Sequence, residues 1–156
     1  MYCFMKFILL CILFLIITGI AFINLFYYKS RKNFIKQLID FLKKYELDMN
    51  FNKISLRKYV LLNTNNMSRD IYKLLQNPIN YDNYPKYVNN IEKNEFCNFF
   101  KNLGSLDLYG ESDKVNGFIK KLENDMIAYD DDLKQKGFLR SKLIFIFGIM
   151  ILIILL

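Results

Sequence analysis

Residues 7–26 read FILLCILFLIITGIAFINLF, twenty positions without a charge. At 1.5 Å per residue, a helix of that length is about 30 Å long and matches the hydrocarbon core of a bilayer. Its polar members, Thr18 and Asn24, are uncharged. The run outlasts the core of a signal peptide, and the Lys/Arg cluster after it opposes translocation. A transmembrane helix over residues 7–28 is therefore expected, rather than a leader cleaved near Gly19–Ala21.

Residues 143–156, LIFIFGIMILIILL, are apolar throughout. They span only about 21 Å as a helix, or about 28 Å counted from Phe138 if Arg140 and Lys142 extend toward the headgroups. A helix apolar on every side is at home in lipid or deep inside a large core. A short second transmembrane helix is expected over residues 143–156.

Basic residues then orient the chain. Only Lys6 precedes the first span, whereas Lys29, Arg31, Lys32 and Lys36 follow it and Lys134, Lys136, Arg140 and Lys142 surround the start of the second. Under the positive-inside rule, residues 29–142 form a cytoplasmic domain. That region carries 21 of the 22 Lys and Arg and all 15 acidic residues, a net charge of +6. Its positive excess sits mainly in the two membrane-flanking clusters, where anionic lipid headgroups account for it. With no helix-turn-helix, RNP-like aromatic motif or Gly-Lys phosphate loop, nucleic acid is not an expected partner.

The chain has no histidine, which removes Ser-His-Asp and Cys-His catalysis and HExxH metal sites together. Cys3, Cys11 and Cys97 share no metal or disulfide spacing and read as small apolar residues. Asp130, Asp131 and Asp132 are consecutive, so on a helix they diverge by about 100° and cannot converge on one cation. Glu46 with Asp48, or Glu111 with Asp113, would serve as catalytic pairs only inside a cleft. No catalytic, cofactor-binding or metal-binding residue is assigned.

Helical periodicity dominates the middle of the chain. Phe34, Leu38, Phe41, Leu42 and Tyr45 extend the first membrane helix to about Glu46. Ser55 and Ser68 are placed as N-caps of two short helices, the second with an Ile71, Leu74 and Leu75 stripe. Residues 77–85, NPINYDNYP, read as a loop. Tyr87, Val88, Ile91, Phe96, Phe99, Phe100 and Leu103 suggest a further amphipathic helix, and Val115, Phe118, Leu122, Met126, Tyr129 and Leu133 a last one. Between them, Gly104 is suited to a left-handed helix end, with Asp107 or Ser112 capping the next helix. The expected architecture is an all-α cytoplasmic bundle flanked by N- and C-terminal transmembrane helices.

The turn is also where a family resemblance becomes visible. Phe99 or Phe100, Leu103, Gly104, Asp107 and Gly110 follow the order of an aromatic, Leu-Gly, Asp and Gly/Gln pattern, with Glu111 in the Gln place. Arg31 and the stretch Tyr45–Leu56, through Glu46, Met49, Phe51 and Leu56, match a second pattern, though Asp48 replaces Glu and Ser55 replaces Pro. Gly148 sits in a glycine position of an Ile/Leu-rich tail. These features resemble the stage III sporulation protein AB family of endospore-forming bacteria, with residues 63–94 left unaligned.

The resemblance implies a helical fold similar to the platform domains of type II secretion and type IV pilus systems. It also implies a non-enzymatic role in the secretion-like channel between mother cell and forespore. The localisation implied is the mother-cell side of the outer forespore membrane. Implied partners are the other stage III channel proteins, including the secretion-type ATPase known as protein AA, with a homo-oligomer left open. Gly104, Asp107, Gly110 and Glu111 are the candidate interaction motif. A generic two-span adaptor of another envelope assembly shares the physical features. A small membrane enzyme would instead require activity lost on a single Asp or Glu change.

Overall fold

The computed structural model describes residues 2–64, 67–103 and 108–155, and every regular element among them is helical. The α-helices are α1 (Tyr2–Asn52), α2 (Leu56–Leu62), α3 (Arg69–Gln76), α4 (Asn90–Lys101), α5 (Leu108–Asp132) and α6 (Arg140–Leu155). A 3₁₀ turn, Tyr81–Asn83, interrupts the loop before α4, and a π-helical segment, Leu133–Leu139, joins α5 to α6. The chain divides into two compact units: Met1–Ser30 with Ala128–Leu156, and Arg31–Ile127.

In the first unit, the early part of α1 packs antiparallel to the π segment and α6. Phe14 meets Phe145 edge-on, with ring centroids 6.0 Å apart. Further along, a Cβ at Gly148 would lie 2.4 Å from Cγ2 of Ile17, so the helices approach at a point only glycine permits. Asn24 is more than an uncharged interruption. Its amide donates to the carbonyls of Lys136 and Gly137 and to the Ser141 hydroxyl at 3.2, 3.4 and 3.2 Å, while that hydroxyl donates to the Ala21 carbonyl at 2.8 Å. The apolar side chains around this seam remain exposed, Leu15, Phe22, Ile23, Ile153 and Ile154 among them. Among the described residues, one helix, Ile8–Asn52, is long and apolar enough to cross a membrane by length and composition; α6 has 16 residues.

The second unit has a conventional helical core. Phe34, Leu38 and Leu42 of α1 are buried, as are Ile71 and Leu74 of α3, Phe96 of α4, and Val115 and Leu122 of α5. Phe118 of α5 stacks on Phe99 at 3.9 Å and meets Phe96 edge-on at 6.1 Å. The expected core stripes of α1 and α5 thus face inward, with Ile119 joining the latter.

Several boundaries differ from the sequence expectation. Helix α1 continues to Asn52, not about Glu46. Met49 is buried one turn beyond Tyr45, and Asn50–Glu46 and Asn52–Asp48 side-chain bonds support the last turn. Tyr87 and Val88 precede α4 instead of belonging to it, and Ile91 is 73% exposed. The start of α4 is fixed by a capping box: Asn89 Oδ1 accepts from the Glu92 N–H at 2.8 Å, and Glu92 Oε2 from the Asn89 N–H at 2.9 Å. Ser68 caps α3 by accepting from the Ile71 N–H, whereas Ser55 precedes α2 with an extended backbone but no side-chain cap bond. Approach to the second apolar segment is π-helical, not α-helical, over Leu133–Leu139.

Candidate interaction site

Of the expected turn motif, Gly104 and Asp107 lie outside the described residues. Gly110 and Glu111 occupy the first turn of α5, and Glu111 is buried, only 5% exposed. It stands close to Tyr45, whose phenol is pushed up first by its own burial and then by the negative charge of Glu111. Ser112 lies inside α5 and is not its cap. Its hydroxyl is turned instead toward α1, where it meets Glu46 at 3.3 Å and Asn50 at 3.2 Å.

Glu46 is the hub of this contact. Its Oε1 also accepts from Asn50 at 3.1 Å and from Asn116 at 2.8 Å. A carboxylate holding several donors joins α1 to α5 and leaves its own atoms oriented. This arrangement is a joint between helices. Asp48 is directed elsewhere, accepting from Asn52 at 3.0 Å, and Asp113 is exposed while Glu111 is buried. Neither candidate carboxylate pair converges.

Around the joint, large apolar side chains remain in solvent. Phe51 follows Asn50 at the end of α1, and Tyr109 lies one turn before Ser112; both are 82% exposed. Leu47, one turn before Phe51, is 55% exposed.

The family-like arginine has a definite place. Arg31 Nη2 lies 2.6 Å from Glu92 Oε1, with the two side chains only 16% and 9% exposed. Glu92 therefore caps α4 with one oxygen and binds α1 with the other. Tyr87, next to this contact, donates to Asp70 Oδ2 at 2.7 Å and sets its ring edge-on to Phe34. Of the other flanking basic residues, Lys136 pairs with Asp132 at 2.5 Å, so Asp132 is engaged on its own helix. Lys29, Lys36, Lys134, Arg140 and Lys142 are exposed, and Lys32 is half-buried.

A groove of about 570 Å³ runs between α1, α2 and α3, lined by Asp40, Lys44, Asp48, Tyr59 and Asn63 among others. The Tyr59 phenol is raised by burial and then by Asp48. Among the described residues, no group of three or more Cys, Asp or Glu side chains is placed to hold a metal ion.

Sequence reasoning did not find Asn50 and Asn116 as partners of Glu46, nor Glu92 as the partner of Arg31. One signal was available, since Asn89 and Glu92 have capping-box spacing. The Arg31–Glu92 contact joins residues 61 apart and has no local signature.

These observations define an all-helical protein whose described residues include one helix long and apolar enough to cross a membrane, with a helical unit in which exposed aromatic side chains lie around a polar joint. The chain belongs to the stage III sporulation protein AB family, whose model matches residues 62–156, more than half of its length. That match includes residues 63–94, which the motif comparison left unaligned, while Arg31 and Tyr45–Leu56 lie ahead of it. No curated protein and no solved structure matches the chain. The family is a component of stage III sporulation and is not a known enzyme family.

Proposed function

We propose that the protein is a non-enzymatic membrane component of the secretion-like channel between mother cell and forespore, acting as a platform or adaptor beside a secretion-type ATPase. The family match over residues 62–156 is the observation that carries this reading. Residues 29–142 form its cytoplasmic part on the mother-cell side of the outer forespore membrane, oriented by the basic residues that flank both apolar segments. Two helices anchor it: the apolar part of α1, and α6, whose 16 residues reach about 24 Å and are extended by the π segment. The exposed Phe51 and Tyr109 supply the contact with a channel partner, and the buried Glu111 and the Glu46 joint hold them in place.

Deletion of the gene under spore-forming conditions tests the proposal. Forespores are expected to complete engulfment, then stall and collapse before late gene expression. Normal spore yield in the deletion strain would overturn the channel role.

A further inference from the structure

Arg140 is the membrane-flanking basic residue that lies against an apolar groove. It opens α6, and its neighbour Ser141 bonds to Ala21 and is bonded by Asn24. Arg140 is thus level with the last turns of the apolar run ending at Phe26, not beyond them. At the headgroup end of a helix pair, such a cation is placed to meet an anionic partner. No ion pair joins its guanidinium to a described residue, in contrast to Lys136, which has Asp132.

Arg140 stands instead at one end of a groove of about 450 Å³ in the α1–α6 pair, lined by Ile17, Ile20, Ile144, Phe147 and Ile151. Apart from Arg140, every side chain lining the groove is apolar. Arg140 and Ile151 are three turns apart, about 16 Å along a helix. That is roughly half of a hydrocarbon core of about 30 Å, the depth of a single leaflet. Side chains on a helix lean toward its N-terminus, so the guanidinium leans away from the apolar lining and toward the π segment. The site has a cation at the headgroup end and a trough one acyl chain deep.

We propose that this groove binds one anionic phospholipid, with its phosphate on Arg140 and an acyl chain along Ile20, Ile144, Phe147 and Ile151. The fork of an arginine pairs two phosphate oxygens at once, which a diffuse lysine surface does not. This inference rests on the membrane reading of α1 and α6.

The chain contains no tryptophan, so single indoles report locally. Phe147→Trp marks the groove, and Leu15→Trp marks an exposed face of α1, where Leu15 is 68% exposed. The full-length chain, reconstituted in phosphatidylglycerol–phosphatidylcholine vesicles, is quenched with one or the other lipid brominated on its acyl chains. The groove reporter is expected to favour phosphatidylglycerol about fivefold, the effect of one cation at a headgroup surface. Arg140→Gln should remove that preference, whereas Lys142→Gln should leave it. Equal quenching by the two lipids at the groove, or a preference that survives Arg140→Gln, would overturn the site. A loss equal in Lys142→Gln would also overturn it, because the preference would then be diffuse charge. If Leu15→Trp is quenched by neither lipid, the membrane reading itself fails. If it is quenched while the groove is unselective, only the lipid site fails.

Discussion

Glu92 does two jobs with two oxygens, and that division makes Arg31 costly to remove. One oxygen caps α4 and the other receives Arg31 at 2.6 Å, in a place where both side chains are largely shielded from water. Arg31→Gln leaves a poorly solvated carboxylate and is expected to cost about 3 kcal/mol, as single breaks in buried pairs do. Adding Glu92→Gln removes that buried charge and should recover part of the loss. Urea unfolding of the detergent-solubilised chain, followed by near-UV circular dichroism, would reveal it; two equal losses that simply add would contradict the pairing. The tyrosines give a second expectation. Tyr84 is raised above its usual value near 10 by burial and then by Cys97 and Tyr81, and Tyr87 by burial and then by its bond to Asp70. The folded state keeps both phenols protonated while the unfolded chain releases its protons near pH 10. Their stabilising contribution is therefore complete below about pH 10 and is lost as the pH rises above it. Unfolding midpoints measured from pH 8 to 11.5 should fall in the upper part of that range, less steeply in Tyr87→Phe. Neither placement is visible in the sequence, since the spacing of Tyr87 fits a helix that the residue in fact precedes.

At the scale of elements, spacing along the chain was a good guide where one face is buried and a poor one where contacts are made by backbone. The stripes of α1 and α5 were legible because burial every three or four residues is a local pattern. The π segment was not, because one extra residue per turn leaves composition unchanged, and its carbonyls at Lys136 and Gly137 are met by an amide more than a hundred residues away. Gly148 was matched to a family glycine position, but the reason for it is steric. Its missing Cβ makes room for Ile17. Gly148→Ala is expected to destabilise the helix pair by roughly 1–3 kcal/mol, the usual range for overpacking, since the β-branched Ile17 has little rotamer freedom with which to retreat. Ile17→Ala in the same chain should restore much of it. Thermal unfolding in detergent would check this, and an unaltered midpoint in the single variant would rule out the close approach.

For the whole molecule, the useful distinction is between residues that hold the fold and residues that only face outward. Phe51 and Tyr109 contribute little to the core, both being 82% exposed, so Phe51→Ser with Tyr109→Ser should change stability by no more than about 0.5 kcal/mol each. If they anchor a channel partner, spore yield in a complemented deletion strain should fall while protein abundance does not. Full complementation would move the contact elsewhere on the unit. The amino-acid sequence by itself determined the apolar segments, the all-helical class and most core faces. Each of these depends on residues within a turn or two of one another, where hydrophobic periodicity and charge placement act locally. The family, too, was legible in an ordered set of short motifs. Only the tertiary structure decided which polar groups meet: Arg31 with Glu92 across 61 positions, and Asn24 with Ser141 across 117. A buried donor or acceptor must find its partner wherever folding has carried it, and no local spacing records that destination.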